Sequence, residues 1–265
     1  MVRIVQVTDM HLFANTSDVL VGMNCEAGLQ DVLATIKEDQ QNDPLAIQAI
    51  LCTGDISQDN SADSYRRLEA ALNTFQAPYF WIPGNHDELA RMEAALGADH
   101  PCFSRSVVLP GWRIIMLNSS VKGEVSGLLS AQELEVLQTE LANNHEPHVM
   151  VCLHHNPVPV ASHWLQQHAL KNPQALFDVL DKHPEVQVVL FGHIHQALDQ
   201  LRNDVRYLGS PSTCIQFHPD SFDFALDSVN PGYRWFNLHA DGTVETGVSR
   251  VRNKKYAVDF SGIGY

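Results

Sequence analysis

Asp9-Met10-His11 sets a carboxylate and an imidazole two residues apart, a spacing that turns both side chains to one side of an extended segment. Asp55, after Gly54, adds a second carboxylate, whose two oxygens can bridge a pair of cations held roughly 3.5–4 Å apart. In Gly84-Asn85-His86-Asp87 the Asn85 amide oxygen is a neutral donor that leaves a metal more electrophilic than another carboxylate would. His86, displaced by one position, can act on substrate instead. His154-His155 and Gly192-His193-Ile194-His195 each follow an apolar run, and His193 and His195 share one face. Each motif alone also reads as a polar strand end or a turn. Together they supply oxygen and nitrogen donors in a mixture suited to Fe, Mn, Zn or Co rather than Ca or Mg.

The elements that must carry these residues alternate. A strand at Arg3–Val7 leads to Asp9 and His11; a helix around Glu26–Asp39 follows; Ala49–Cys52 leads to Gly54-Asp55; a helix near Ala62–Asn73 precedes the strand Tyr79–Ile82 and Asn85. Strand ends are where open α/β sheets place ligands. Phe103–Leu109 and Trp112–Asn118 read as an antiparallel pair joined at Pro110-Gly111, and Ser130 with Glu133 forms a capping box opening a helix to about Ala142. The strands His148–Leu153 and Val186–Phe191, separated by a helix near Pro173–Lys182, run into His154 and His193. Hairpin signals at Asn203-Asp204 and Asp241-Gly242 make the C-terminal third mostly antiparallel strand. The expected fold is α/β: a four-layer αββα sandwich of two mixed β-sheets flanked by helices, in one domain spanning 1–265.

A chain of 265 residues with 45% apolar content can bury a sizeable core. No apolar run approaches a membrane span, and the first residues alternate like a strand rather than a cleavable signal, so the expectation is a cytoplasmic protein without membrane association. The cysteines, Cys25, Cys52, Cys102, Cys152 and Cys214, are scattered and read as buried thiols, which fits a reducing compartment. A net charge of −14 argues against a nucleic-acid partner, because such proteins need a basic footprint. An anionic substrate would then be attracted locally, by metal ions. Arg250, Arg252, Lys254 and Lys255 read as a solvated strand edge.

The ordered set Asp-x-His, Gly-Asp, Gly-Asn-His-Asp, His-His-x-Pro and Gly-His-x-His, from Asp9 to His195, resembles the calcineurin-like metallophosphoesterases. Thr53-Gly54-Asp55-Ile56-Ser57-Gln58-Asp59, the stretch from Trp164 through His168, Gly192–Gln196, Pro211–Phe217 and Leu238–Thr243 are similar to the bacterial class III 3′,5′-cyclic-AMP phosphodiesterases. The resemblance implies one metal held by Asp9, His11, Asp55 and His195 and a second by Asp55, Asn85, His154 and His193, with Asp55 bridging. His154 is taken over His155 because the family's ligand is the first of the pair, although Asn156 stands here where the family pattern has proline. Fe or Mn is expected, with Zn or Co as alternatives.

The expected reaction is hydrolysis of cyclic AMP by in-line attack of a hydroxide held on the metals, with His86 as general acid. Substrate would touch His11, Asp55, Asn85, His86 and His195. Phe217, Phe222 and Phe224, with His218, could cover an adenine or simply pack. Asp59 could orient His86 or serve the turn. Other small phosphodiesters, such as a glycerophosphodiester or a nucleotide pyrophosphate, and a non-catalytic scaffold are the competing readings. The expected assembly is a monomer or homodimer.

Overall fold

All six residues of β1 (Val2–Val7) are buried, as a strand covered on both faces must be. The computed structural model of the protein describes residues 1–264. After β1 come the short hairpin β2 (Val19–Leu20) and β3 (Met23–Asn24), α1 (Cys25–Gln41), β4 (Ile47–Cys52), α2 (Ala62–Leu72), β5 (Tyr79–Trp81) and α3 (Leu89–Leu96). A single 3₁₀ turn (Pro101–Phe103) leads to β6 (Ser106–Leu109), β7 (Trp112–Met116), α4 (Ala131–Ala142), β8 (His148–Cys152), α5 (His163–Gln166), α6 (Pro173–Leu180) and β9 (Val186–Phe191). The chain finishes with β10 (Leu198–Arg202), β11 (Val205–Gly209), the short pair β12 (Gln216–Phe217) and β13 (Leu226–Asp227), β14 (Gly232–Leu238) and β15 (Val244–Arg250).

The long strands form two mixed sheets, ordered β15-β14-β1-β4-β5 and β10-β11-β9-β8-β7-β6. Within them β1, β4 and β5 are mutually parallel, as are β7, β8, β9 and β11. The two-residue alternation of each strand sorts its side chains into layers. Ile4, Ala49 and Leu51 from the first sheet meet Ile114, Met150, Val188 and Leu190 from the second in a core between the sheets. The alternate residues Val5, Val7 and Ile50 pack under α1 and α2. On the far side Val149, Val151 and Val189 pack under α4 and α6. The result is the four-layer αββα sandwich.

Helix starts follow local chemistry. Asn24, Ser61 and Ser130 each accept from the backbone N–H three residues on, opening α1, α2 and α4. The second half of the expected capping box is absent: the Glu133 carboxylate turns outward to accept from Asn118 N–H, at 2.8 Å, and from Arg105. The Asn203-Asp204 turn, with both residues at positive φ, joins β10 to β11 as a two-residue hairpin. Beyond it β11 runs parallel to β9, so the C-terminal third is less purely antiparallel than its hairpin signals suggest.

One cysteine expectation is overturned. Cys25, at the start of α1, and Cys214 form a disulfide with Cα atoms 5.0 Å apart. At a sequence separation of 189, only the folded topology brings the pair together. Cys52, Cys102 and Cys152 are buried free thiols. The pairing removes the cysteine argument for a reducing compartment. In the basic segment Arg252, Lys254 and Lys255 are exposed, Lys254 beside Asp31, whereas Arg250 is half-buried and donates to Gln216 and to the Asn230 carbonyl. Among the described residues no helix is long and apolar enough to cross a membrane.

Candidate dinuclear metal site

The parallel strands β1, β4, β5, β8 and β9 all end on one rim, and the loops leaving them are tied side by side. Asp9 N–H donates to the Gly54 carbonyl at 3.0 Å and His11 N–H to the Asp55 carbonyl at 2.9 Å, so the loops after β1 and β4 advance together. Gly192 N–H donates to the His154 carbonyl at 3.1 Å, which ties the loop after β9 to the one after β8. His193 N–H points at both Asp9 carboxylate oxygens, 3.1 Å from each, and joins the two sheets. Beneath, the fully buried Gln6 amide donates to Thr53 Oγ1 and the Phe191 carbonyl and accepts from Ser210, so no polar group of that staple is orphaned.

The backbone conformation at the rim is unusual. Asp9, His11, Asp55, His193 and His195 all sit at positive φ, between 48° and 67°. L-residues disfavour this region, and its concentration in one place marks backbone held by its surroundings. Close approach also explains two glycines. A Cβ on Gly54 would lie 2.4 Å from His154 Nδ1, and one on Gly84 would lie 2.1 Å from Asp55 Oδ1.

Seven expected ligands converge. His195 Nε2 lies 3.3 Å from Asp9 Oδ1 and 3.2 Å from His11 Nε2, and His11 Nε2 is 3.9 Å from Asp55 Oδ2. On the other side of Asp55, His154 Nε2 lies 3.3 Å from the same Oδ2 and 3.2 Å from Asn85 Oδ1, which is 3.0 Å from His193 Nδ1. Two donors bound to one ion at about 2.1 Å stand roughly 3.0–3.4 Å apart, so all of these spacings but the 3.9 Å between His11 and Asp55 suit ligands around a cation. Asp55 belongs to both clusters. Of the adjacent histidines, His154 faces this centre, whereas His155 bonds Ser119 Oγ at 2.8 Å and the Val125 carbonyl at 3.0 Å. The same region also groups His154, His155 and His193 as residues that could hold an ion.

Ring protonation makes the case for a cation stronger. His11 Nδ1 meets Gln58 Oε1 at 2.6 Å, and His195 Nδ1 meets the Ile215 carbonyl at 2.9 Å. Both partners are acceptors, so in the neutral ring each holds the proton on Nδ1 and turns the Nε2 lone pair toward the other histidine. Those lone pairs face each other, an arrangement that repels until a positive charge lies between them. The Thr53 carbonyl, 2.7 Å from His154 Nδ1, likewise accepts that nitrogen's proton and turns His154 Nε2 toward the cluster.

Charge in the site follows from burial and proximity. Burial holds His11 and His155 down at about 3 and His193 well below its ordinary value. Burial also opposes the His154 cation, but the Asp55 and Asp9 carboxylates outweigh it and lift His154 to about 9. Burial raises Asp9 and Asp55, yet their histidine neighbours win and both carboxylates lie below their usual range. A proton on His154 would do there in part what a metal cation would do.

His86 N–H donates to Asp55 Oδ1 at 2.8 Å, and its ring stands edge-on to His11 with centroids 5.0 Å apart. Asp59 accepts from Ala14 N–H, Ser57 Oγ and Ser61 N–H, which is turn chemistry and not orientation of His86. Asp87 does more than its sequence position suggested: it accepts from the N–H groups of Ile56, Ser57 and Gly84 and from Tyr65 Oη, clamping the loop after β4 to the loop after β5.

A cavity of about 280 Å³ opens over Asp55, Asn85, His86 and His193, walled by Trp164, Leu165, His168, Phe217 and Phe224. Phe217 stacks on His195 with centroids 4.1 Å apart, and Trp164 lies edge-on to Phe217. Phe222 is not part of this wall; it is 70% exposed and stacks on His163. His218 is exposed, its backbone paired with Ala225. Sequence reasoning assigned no role to Gln58 or to the Ile215 carbonyl, although both lie inside the quoted motifs, and it had no signal for Ile263 and Gly264, which also line the cavity.

A sequence profile described as calcineurin-like phosphoesterase matches residues 2–197. Over all of its length the chain is 43% identical to the 3′,5′-cyclic adenosine monophosphate phosphodiesterase CpdA of Pseudomonas aeruginosa, covering 95% of that protein. It is 42% identical to the protein of the same name from Escherichia coli (strain K12), again over 100% of this chain and 95% of the other. Among solved structures, the purple acid phosphatase PPD1 from yellow lupin (Lupinus luteus) seeds superposes with a TM-score of 0.66 at 14% identity, covering 97% of this chain and 52% of that one. At that identity the likeness bears on fold.

Proposed function

This chain belongs to the calcineurin-like phosphoesterase family, and from that premise we propose that it hydrolyses 3′,5′-cyclic AMP to 5′-AMP at a two-metal centre. The observation that carries the metal reading is the pair of imidazole nitrogens, His11 Nε2 and His195 Nε2, turned on each other at 3.2 Å beside two buried carboxylates. The substrate reading is supported by the full-length likeness to relatives that bear that activity in their names. Asp9, His11, Asp55 and His195 would hold one ion and Asp55, Asn85, His154 and His193 the other; Fe or Mn, then Zn or Co, suit this donor set. Residues 1–265 are read as one domain, supported by the core shared between the sheets; Tyr265 lies outside the described residues.

Bound divalent ions supply the positive charge that stabilises phosphoryl transfer and the acidity that yields a nucleophile from water near neutral pH. The rest falls to the chain. Asn85, His11 and His195 border the place where the phosphoryl oxygens would lie. His86 delivers a proton to the departing 3′ oxygen as the P–O3′ bond breaks, so an alcohol leaves in place of an alkoxide. Trp164, Phe217 and Phe224 offer flat apolar surface to the base.

The test is a substrate panel assayed with manganese or iron. Cyclic AMP turnover well above that of glycerophosphodiesters and nucleotide pyrophosphates is expected. A glycerophosphodiester preferred by far over cyclic AMP would overturn the substrate assignment. Fewer than one metal per chain after reconstitution, with no diesterase activity, would favour a non-catalytic scaffold.

A further inference from the structure

Beyond β15 the chain has no regular structure, yet it is pinned along its course. Asn230 donates to the carbonyls of Val251 and Lys254, Tyr256 Oη donates to Asp31 at 2.7 Å on α1, and Asp259 N–H donates to the Val21 carbonyl at 2.8 Å in the β2–β3 turn. Tyr256 and Val258 pack against the core under the second sheet. A turn follows, in which the Asp259 carboxylate accepts from Ser261 N–H and the Asp259 carbonyl from Gly262 N–H. Gly262 runs close over Val21 and beside Phe224. The segment thereby delivers Ile263 and Gly264 to the mouth of the cavity that Asp55, Asn85 and His86 floor.

Ile263 is 95% exposed while lining that cavity. A large aliphatic side chain is thus held in water on the cavity that Trp164, Phe217 and Phe224 also line, where a bound flat ring could cover it. Building on the nucleotide reading above, we propose that residues 259–264 form a strap that closes the open side of the pocket on the nucleobase, with Ile263 a specificity-determining residue that contacts the base. The phosphodiester recognises the polar floor; the strap and the aromatic wall recognise what is attached to it. Preference for a cyclic nucleotide over a cyclic phosphate without a base then depends on the strap.

The full chain and its Ile263→Ser and Ile263→Leu variants would be compared on cyclic AMP and on methyl riboside 3′,5′-cyclic phosphate, which keeps the scissile bond and lacks the base. Ile263→Ser should lower kcat/KM for cyclic AMP by about 5- to 20-fold, mainly through KM, for loss of a partly buried aliphatic contact. The loss on the base-free substrate should be at least fivefold smaller, and Ile263→Leu should recover most of the cyclic AMP activity. Equal losses on both substrates, a loss below twofold on cyclic AMP, or a gain in activity from an unblocked mouth would each overturn the strap's role while leaving the nucleotide reading standing. A wild-type protein without cyclic AMP activity would refute the nucleotide reading itself, and the strap's role with it.

Discussion

Replacing Gly84 with alanine adds a single methyl group against Asp55, the carboxylate proposed to bridge the two metal ions. The new Cβ would stand 2.1 Å from Asp55 Oδ1 and 2.4 Å from Asp55 N, about 1.3 Å short of an ordinary 3.4 Å contact at the carboxylate. Rotating the Asp55 side chain cannot relieve the backbone part of that clash. Sliding the loops apart would stretch the Asp87 clamp, whose oxygens hold Gly84 N–H and Ile56 N–H at 3.0 Å. A shift near 1 Å greatly exceeds the roughly 0.2 Å tolerance of metal–ligand distances. Overpacking of this kind costs about 1–3 kcal/mol, so the variant should remain folded. Its metal content after reconstitution with manganese should fall to one ion per chain or fewer, and turnover of cyclic AMP should drop on the order of 10²-fold. Metal analysis paired with initial rates at saturating metal decides the matter. Two ions per chain and a rate within about threefold of wild type would refute the interlocking-loop account.

His86→Ala should lower cyclic AMP hydrolysis by roughly 10²–10⁴-fold, but should cost far less on a nitrophenyl diester, whose leaving group departs without a proton; equal losses would remove His86 from the acid role. Asp87→Asn turns one oxygen of a carboxylate that accepts three backbone N–H groups and Tyr65 Oη into a donor facing at least one of those N–H groups, and should cost about 1–3 kcal/mol in urea unfolding; an unchanged midpoint would show that the clamp contributes nothing. In metal-free protein, His154 at about 9 contributes stability that is complete below 6.5 and lost as pH rises through 9. His11, His155 and His193 are depressed, so their neutral native forms destabilise the fold as pH falls from 6.5 toward 3, outweighing the opposite influence of Asp87, raised to about 6. Denaturation midpoints of chelator-treated protein should therefore peak near pH 6.5, and a steady rise from pH 5 to 9 would contradict these assignments.

The layers were legible because each strand's alternation survives in the fold: Val5 and Val7 face helices while Ile4 faces the other sheet. The rim was legible because Asp9, Asp55, Asn85, His154 and His193 all follow apolar runs that must stop where the backbone meets water. What the sequence did not disclose depends on contacts between distant segments. Nothing near Cys25 marks Cys214 as its partner, and nothing in Phe222 shows that it stacks outward on His163 while Phe217 and Phe224 turn in. Glu133 sits at the right offset for a capping box and is drawn away by Arg105 and Asn118, a tertiary preference that overrides a local one. Tyr256–Gly264 carries no motif; only the path of the chain leads it to the cavity.

The left-handed backbone at Asp9, His11, Asp55, His193 and His195 sets the chain's persistence against its chemistry. Each such residue costs about 1 kcal/mol that glycine would largely avoid. Summed over five positions, that is comparable to the whole margin by which an ordinary domain stays folded. A lineage released from selection for turnover would gain by drifting toward glycine at His11 and His193, whose rings bond the side chains of Gln58 and Asn85, while the Asp9 carboxylate that joins the sheets stayed as it is. Selection for heat resistance alone, applied in the laboratory without an activity screen, should erase the same positions early.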